Sequence, residues 1–422
     1  MQEKTLINWL EYIETLELKE VELGIERIRP VFKKVVKLSS DTKIVVVGGT
    51  NGKGSTVEFL SQLLISNKKR VGTFTSPHLF NFNERIRVNG IPVSDKQITD
   101  RFKLIEENRG SVQLTYFDFS TLAALSLFSD LNLDVLVLEI GLGGRLDPVN
   151  VVDPDLSILT NVELDHQERL GNDRESIGRE KAAIFRKKKI VILGQHDLPN
   201  AVVEQTHRLG NKVFKIGREF DYKVDDSLKE WMYEFKSEKS TYLTRLQLPS
   251  LSVSSLSCAL TAFLALGYEL DMNVNNVLSK TYLKGRCELI DNRFLVDVSH
   301  NASSAEYLSS FIKRNFKSEI QITAVLGVMK GKDINSIIKP FKKKVSKWYL
   351  TSPDNKRAMK TEELLTVLGL DTEARVSQVK SVSNACTKAH QETPKGSLII
   401  IFGSFYTAAE AFSAIKPLRS VA

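Results

Sequence analysis

The sequence contains little cysteine: Cys258, Cys287 and Cys386 are the only three among 422 residues. They are far apart, odd in number and without CxxC or Cys/His spacing, which argues against a disulfide framework and a structural zinc site. No stretch approaches the roughly 18 consecutive apolar residues of a membrane helix. The first residues, MQEKTLINWLEYIETLELKE, carry several acids and lack the uninterrupted apolar segment of a signal peptide. These absences predict a soluble, cytoplasmic protein with reduced thiols and no membrane partner.

The sequence also lacks a strong excess of charge. Its 59 Lys and Arg residues against 51 Asp and Glu residues give a formal net charge of +8, which is small for this length. This charge alone does not favour a nucleic-acid partner. An attraction for small anionic substrates explains the positive charge as well as a nucleic-acid partner would. A hydrophobic fraction of 42% and a charged fraction of 26% exclude a disordered or collagen-like chain. At about 150 residues per domain the length predicts two or three domains. Since coiled-coil heptads are absent, we expect a monomer.

Short apolar runs alternate with amphipathic stretches along most of the chain. Residues 43–47, 134–140, 156–160 and 190–193 have the composition of buried strands, and residues 53–66 have the apolar spacing of a helix. The alternation loosens between 197 and 251, where polar and aromatic residues alternate and predict β-rich excursions at the edge of the first domain. From Phe294 it resumes, with candidate strands in FLVDVS, QITAVLGV, KWYLTS and SLIIIFG. The pattern predicts two α/β domains with mostly parallel sheets and a boundary near 281–285.

The strongest local motif is VVVGGTNGKGST at residues 45–56, where a strand leads through a glycine-rich turn into a helix. Glycines let backbone N–H groups approach a phosphate, the helix N-terminus adds partial positive charge, and a lysine can reach the terminal phosphates. The usual phosphate-loop pattern is not met, because a glycine separates the lysine from the serine. An unliganded glycine turn is the simpler alternative, but the order of the parts favours a nucleotide. The candidate nucleotide-binding residues are Gly49, Thr50, Asn51, Gly52, Lys53, Gly54 and Ser55.

A second glycine-rich stretch, Gly141 to Gly144, follows the strand that ends at Ile140. It lacks the G-x-G-x-x-G spacing of dinucleotide-binding proteins, so a dehydrogenase is disfavoured.

Eight motifs in order resemble the Mur ligase superfamily, and in particular its folylpolyglutamate synthase branch with the bifunctional members that also act on dihydropteroate. They are GTNGKGS (49–55), TSPHLFNFNERIRVNG (75–90), EIGLGGRLD (139–147), LDHQERLG (164–171), SIGREKAAIFR (176–186), GRCE (285–288), DVSHN (297–301) and GSFYT (403–407). The resemblance covers nearly the whole chain. It implies a phosphate-loop domain of the Mur ligase central type with the pterin site at 1–281, and a smaller Rossmann-like glutamate ligase domain at 282–422.

The resemblance also implies an activity. Members of this family use ATP and Mg²⁺ to phosphorylate a carboxylate, and the amine of L-glutamate then displaces phosphate from the acyl phosphate. The expected substrates are dihydropteroate, tetrahydrofolates and L-glutamate, all of which are anionic. The expected site lies between the two domains and closes by domain movement.

Metal and catalytic residues follow from matching positions. The resemblance places Mg²⁺ on Ser76, Glu139 and His166, and it makes Lys181 an N6-carboxylysine that holds or orients a second ion. Glu139 also stands out without the resemblance, because a carboxylate at the end of an apolar strand is costly unless it is paired or metal-bound. The modification of Lys181 needs a neutral amine, which burial or a neighbouring charge would favour. The catalytic set is Lys53, Lys181 and His166.

Further nucleotide contacts are implied at Ser255, Arg286, Asp297 and His300. The family usually has asparagine where this chain has Ser255, and phenylalanine is common where it has Cys287, so nucleotide affinity is expected to differ at these positions. A simpler role for Asp297 is to cap a helix after a strand, and the two roles are compatible.

Three segments match the dihydropteroate-binding regions of the bifunctional enzymes. An aromatic residue next to a carboxylate suits a flat pterin ring and its amino-pyrimidine edge, although such pairs also occur in plain cores. The candidate substrate-binding residues are Glu22, Leu23, Gly24, Ile25, Thr115, Tyr116, Phe117, Asp118, Leu146, Asp147 and Pro148. Two rival interpretations stay open: a folylpolyglutamate synthase without dihydropteroate activity, and a non-catalytic nucleotide-binding or RNA-associated module.

Overall fold

The computed structural model describes residues 4–16, 24–227, 229–236, 241–271, 273–368 and 375–418. The chain divides into two compact units, Met1–Thr281 and Tyr282–Ala422. Each unit has its own apolar core, built around its own sheet. Among the described residues no helix has both the length and the apolar character needed to span a membrane.

The first unit contains eleven strands and ten α-helices among its described residues. The strands are β1 (Lys43–Gly48), β2 (Val71–Phe74), β3 (Ile86–Val88), β4 (Ile91–Pro92), β5 (Val135–Glu139), β6 (Leu156–Leu159), β7 (Ile190–Leu193), β8 (Lys212–Lys215), β9 (Phe220–Asp225), β10 (Glu230–Lys236) and β11 (Thr241–Gln247). The helices are α1 (Leu6–Glu14), α2 (Ile25–Val35), α3 (Lys53–Ser66), α4 (Asp95–Arg109), α5 (Tyr116–Ser129), α6 (Gln167–Leu170), α7 (Arg174–Ala182), α8 (Asn200–Leu209), α9 (Val253–Ala265) and α10 (Val274–Lys280).

The main sheet of this unit has the strand order β4-β3-β2-β5-β1-β6-β7-β8. Strands β2, β5, β1, β6, β7 and β8 are parallel, whereas the β2–β3 and β3–β4 pairs are antiparallel. Apart from Lys43, every residue of β1 is buried, as expected for a strand with helices on both faces. Because the strands are parallel, the carboxyl ends of β1, β2, β5 and β6 meet at one edge, where open α/β sheets bind ligands.

The segment predicted to be β-rich, residues 197–251, is only partly so. Strand β8 joins the edge of the main sheet, and β9, β10 and β11 form a separate antiparallel sheet, as the alternating pattern predicted. Residues 200–209, however, form helix α8, so the prediction was wrong there. This helix begins after Pro199 and ends at Gly210 with φ of 59°, and both residues are typical helix boundaries.

The second unit is a smaller α/β domain. Its strands are β12 (Glu288–Ile290), β13 (Phe294–Val296), β14 (Ile322–Leu326), β15 (Val345–Thr351), β16 (Val376–Val379) and β17 (Leu398–Phe402). Its helices are α11 (Ala302–Asn315), α12 (Ile334–Ile338), α13 (Thr361–Leu368), α14 (Val382–Glu392) and α15 (Phe405–Leu418). The sheet order is β12-β13-β17-β14-β15-β16, and all neighbours are parallel except β12 and β13. The two units thus have the predicted α/β fold class.

Candidate active site

The phosphate loop lies between the end of β1 and the start of α3, as the sequence predicted. Gly49 has φ of 144° and Gly52 has φ of 81°, conformations that L side chains rarely adopt. A Cβ at position 49 would also overlap the hydroxyl of Thr160, and one at position 52 would lie 2.6 Å from Ser255 Oγ. Both glycines are therefore needed for the loop to approach its neighbours.

Two lysines converge on this loop. Lys53 Nζ donates to the carbonyl oxygens of Gly49 at 3.1 Å and Thr50 at 3.3 Å. Lys181, on α7 and only 4% exposed, donates from Nζ to the same Gly49 oxygen at 3.0 Å. Burial, together with the nearby Lys53 ammonium, lowers the pKa of Lys181 to about 7, against the opposing effects of the Asp165 and Asp147 carboxylates. Both lysines were predicted from the sequence, but only the fold shows that they donate to the same carbonyl oxygen, that of Gly49.

Glu139 is the last residue of β5 and pairs in register with Val47 of β1. Its carboxylate is 4% exposed, and Oε2 accepts a hydrogen bond from the backbone N–H of Ser76 at 3.0 Å. A Cβ at Gly54 would lie 3.6 Å and 3.8 Å from the two carboxylate oxygens, so this carboxylate faces the first turn of α3. A buried carboxylate at a phosphate loop is an oxygen donor of the kind that Mg²⁺ prefers, and the backbone contact brings Ser76 next to it.

His166, another predicted metal ligand, lies beside two acidic side chains. It adopts φ of 51°, and its ring nitrogens lie 4.0 Å from Asp165 Oδ1 and 3.6 Å from Glu168 Oε1. Asp165 also interacts electrostatically with Lys181, so this carboxylate connects the histidine with the lysine. In the described ranges no three His, Cys, Asp or Glu side chains form a group suited to a metal ion. Of the predicted metal ligands, only Glu139 and His166 are of those residue types.

The predicted pterin segments come together on one side of the unit. A Cβ at Gly24 would lie 3.7 Å from Leu146, and one at Gly141 would lie 2.6 Å from the ring of Phe117 and 3.3 Å from Asp147 Oδ2. These contacts join the start of α2, the start of α5 and the turn after β5. Glu22 and Leu23 lie outside the described residues.

Both carboxylates of the pterin segments have structural partners. Asp118 Oδ2 accepts from the Thr115 N–H at 2.7 Å, capping α5, and from the guanidinium of Arg27 at 2.6 Å. Asp147 accepts from the N–H groups of Leu142 and Val149, each at 2.9 Å. Burial raises the pKa of Asp147 to about 7, against the effect of these backbone hydrogen bonds. The two carboxylates therefore fix the backbone of the predicted pterin segments.

Sequence analysis missed Arg27. Arg27 lies two residues after segment 22–25, which matches a dihydropteroate-binding region. A cation close to that segment was the only feature of the sequence that could have indicated it. Its guanidinium also donates to the carbonyl of Gln113, which ties α2 to the residues that precede α5.

Ser255 lies near the N-terminus of α9 and is 4% exposed. Its hydroxyl lies where a Cβ at Gly52 would come within 2.6 Å of it. The carbonyl oxygen of Ser255 accepts from Thr56 Oγ1 at 3.4 Å. Helix α9 packs along α3, which is how a residue some 200 positions away reaches the phosphate loop.

In the second unit, three motifs meet at the carboxyl ends of β13 and β17. The guanidinium of Arg286 lies 5.0 Å from the centre of the Phe405 ring, and the His300 ring lies 6.1 Å from it. Asp297 is 6% exposed and accepts from the N–H groups of Cys287 and Ser299, each at 2.7 Å. The structure thus brings Arg286, Asp297 and His300 together, and their contact with a nucleotide stays a prediction. Burial and the Asp297 carboxylate raise the pKa of the Cys287 thiol, so this cysteine stays protonated and unreactive.

Comparison with known proteins agrees with this geometry. The Mur ligase middle domain matches residues 47–265, and the Mur ligase glutamate ligase domain matches residues 285–405. The chain therefore belongs to the Mur ligase family.

Within that family the match is more specific. The dihydrofolate synthase/folylpolyglutamate synthase of Escherichia coli (strain K12) is 36% identical over 418 residues, covering 98% of this chain and 96% of that protein. The E. coli FolC structure in complex with DHPP and ADP has a TM-score of 0.91 at 35% identity and covers 99% of both chains. A Yersinia pestis bifunctional folylpolyglutamate synthase/dihydrofolate synthase, complexed with AMPPNP and a Mn ion, has a TM-score of 0.89 at 32% identity and covers 98% of both chains. The chain thus belongs to the dihydrofolate synthase/folylpolyglutamate synthase branch of the Mur ligases.

Proposed function

We propose that this protein is an ATP-dependent ligase that adds L-glutamate to 7,8-dihydropteroate and, in the same site, to tetrahydrofolates. The observation that carries the proposal is the convergence of Lys53, Lys181 and Glu139 on one phosphate loop. A phosphate loop with the Lys53 cation, a buried carboxylate and a second, buried lysine suits transfer of a phosphoryl group rather than simple nucleotide storage. The bifunctional relatives solved with DHPP and ADP, and with Mn, AMPPNP and L-glutamate, support the same substrates.

The reaction has two chemical steps. The substrate carboxylate attacks the γ-phosphorus of ATP, the bond to the bridging oxygen breaks, and ADP leaves an acyl phosphate behind. The neutral amine of L-glutamate then attacks the acyl carbon, loses a proton, and expels phosphate to leave an amide. Lys53, at the start of α3, binds the phosphate groups and stabilises negative charge that develops during transfer. The N-terminal end of α3 contributes partial positive charge at the same place.

Ser76, Glu139 and His166 would hold one divalent ion, which would neutralise negative charge on the triphosphate. We assign Lys181, acting as N6-carboxylysine, to a second ion. The burial of Lys181 supports this assignment, because a cation with little solvent and a cationic neighbour gains from conversion to a carboxylate. The change replaces a repulsion between Lys181 and Lys53 by an attraction.

The pterin side is formed by residues 24–25, 115–118 and 146–148. Leu146 is 40% exposed there, and an exposed apolar side chain suits a flat, partly apolar ring. We assign Glu22 and Leu23 to the same surface from the sequence match alone. In the second unit, Arg286, Asp297 and His300 contact the nucleotide, and the protein acts as a cytoplasmic monomer.

The experiment that tests this function uses the purified protein with ATP, Mg²⁺ and labelled L-glutamate. One reaction contains dihydropteroate and a parallel reaction contains tetrahydrofolate. We expect dihydrofolate in the first and a tetrahydrofolate with an added glutamate in the second, each with one ADP and one phosphate per amide bond. Product from tetrahydrofolate alone would establish the narrower folylpolyglutamate synthase activity. No amide product in either reaction would refute the proposal.

A further inference from the structure

The segment that follows β6, residues 160–163, contacts the phosphate loop along its length. The Thr50 N–H donates to the Asn161 carbonyl oxygen at 3.0 Å and to Asn161 Oδ1 at 3.1 Å. The Asn51 N–H donates to the same Oδ1 at 2.9 Å. A single asparagine therefore binds two consecutive backbone N–H groups of the loop.

The same segment also binds carbonyl oxygens of the loop. Thr160 Oγ1 donates to the Asn51 carbonyl at 2.7 Å, and the Thr160 N–H donates to the Gly48 carbonyl at 2.9 Å. The Glu163 N–H donates to Thr50 Oγ1 at 3.0 Å. Thr160 is 5% exposed, so its hydroxyl bonds within the protein rather than to bulk water.

These contacts matter because of what a phosphate loop must present. Carbonyl oxygens carry partial negative charge, so a loop that receives a polyanion has to turn them away from it. The carbonyls of residues 48 to 51 all accept hydrogen bonds from this chain: Thr160 binds those of Gly48 and Asn51, and lysines bind those of Gly49 and Thr50. Thr160 keeps the Gly48 and Asn51 carbonyls turned inward even when Lys53 binds the phosphates, so the positive end of α3 is the part of the loop that faces the anion.

We propose that Thr160 and Asn161 are positioning residues for the triphosphate: they hold the phosphate loop in the conformation that accepts ATP. This inference rests on the proposed function, because it takes the ligand of the loop to be ATP. Neither residue touches the reacting atoms. Their effect reaches the substrate through the backbone of residues 48 to 51.

Three variants of the full-length protein test the proposal. Thr160→Val removes the hydroxyl with little change in shape, Thr160→Ser keeps the hydroxyl, and Asn161→Leu removes the acceptor oxygen. Asn211→Leu is the matched control, because Asn211 also makes two side-chain hydrogen bonds to backbone, to the carbonyls of Arg186 and Lys189, away from the loop. For each variant we would measure the Kd for ADP by calorimetric titration, the KM for ATP and for dihydropteroate, and the Tm.

We expect Thr160→Val and Asn161→Leu to raise the Kd for ADP and the KM for ATP by about tenfold, as loss of one or two hydrogen bonds predicts. The KM for dihydropteroate should stay within about twofold of wild type. Thr160→Ser should bind ADP like wild type, and Asn211→Leu should lower the Tm without changing either KM.

Other results would overturn the inference. A folded Thr160→Val with unchanged ADP affinity would do so, as would equal effects on the KM values of both substrates. If Asn161→Leu fails to fold, the comparison of Thr160→Val with Thr160→Ser decides alone. Failure of the proposed function would look different, since wild-type protein would then form no amide product at all.

Discussion

At the scale of single residues, the site is built from groups that are costly to bury. Glu139 and Lys181 are each 4% exposed, and both lie beside the phosphate loop. A charged group with so little solvent lowers stability unless partners compensate, so its presence indicates a function. The sequence could identify Lys53 and Glu139, because each stands at a recognisable end of a strand or helix. It gave no such signal for Thr160 and Asn161, whose partners are about 110 residues away.

Removing the charge of Lys53 or Glu139 should abolish turnover while leaving the protein folded. We expect Lys53→Ala and Glu139→Gln to lower kcat at least about 100-fold, because each removes a group that stabilises transition-state charge. Steady-state assays with ATP and dihydropteroate, together with circular dichroism, measure both effects. Lys96→Ala is the control, because Lys96 makes only an exposed i,i+4 ion pair with Asp100. Wild-type turnover in either test variant would refute the assigned role.

Carboxylation of Lys181 makes a separate prediction. Protein equilibrated with ¹³C-bicarbonate should show a carbamate carbon signal by NMR, and Lys181→Met should lack it. The variant should also lose activity, since a thioether cannot replace the carboxylate. A carbamate signal of equal strength in Lys181→Met would assign the modification to another lysine.

At the scale of secondary-structure elements, caps and ion pairs fix the geometry of the pterin side. Thr115 and Asp118 form a capping box at the start of α5, and Asp118 also pairs with Arg27 of α2. The sequence pattern locates each helix, but it cannot indicate that α2 docks on α5. That docking depends on one buried carboxylate, which is 1% exposed, and one largely buried guanidinium.

Breaking this ion pair should destabilise the protein and weaken folate binding. We expect Arg27→Met to lower the free energy of unfolding by about 3 kcal/mol, because it leaves the Asp118 carboxylate buried without its cation. The KM for dihydropteroate should rise more than the KM for ATP. Urea denaturation and steady-state kinetics measure these effects.

Arg29→Met on the same helix provides the comparison. Arg29 pairs with the exposed Glu26, so its loss should cost less than about 1 kcal/mol. Equal destabilisation by both variants would show that the Arg27–Asp118 pair has no special role.

At the scale of the whole molecule, the chain consists of two units with separate sheets and cores. The first carries the phosphate loop, the buried lysine and the pterin segments. The second carries the cluster of Arg286, Asp297 and His300. Unfolding of a chain with two cores is not expected to be a single two-state transition.

Scanning calorimetry should therefore give a calorimetric enthalpy larger than the van't Hoff enthalpy. ADP with Mg²⁺ at about 100 times its Kd should stabilise the nucleotide-binding protein by about 2.7 kcal/mol and raise the midpoint of its transition. Lys53→Ala should lose most of this shift. A single two-state transition in wild type would contradict the expected independence of the two cores.

The sequence by itself determined the α/β class, the strands that carry the core, the phosphate loop and the family motifs. These features depend on local composition and on short spacings, which a chain displays before it folds. The tertiary structure alone decided which distant groups meet: Lys181 with Lys53 on Gly49, Ser255 with Gly52, Arg27 with Asp118, and Asn161 with the loop amides. The physical reason is that parallel strands bring their carboxyl ends to one edge, so residues from separate loops become neighbours only when the sheet is assembled.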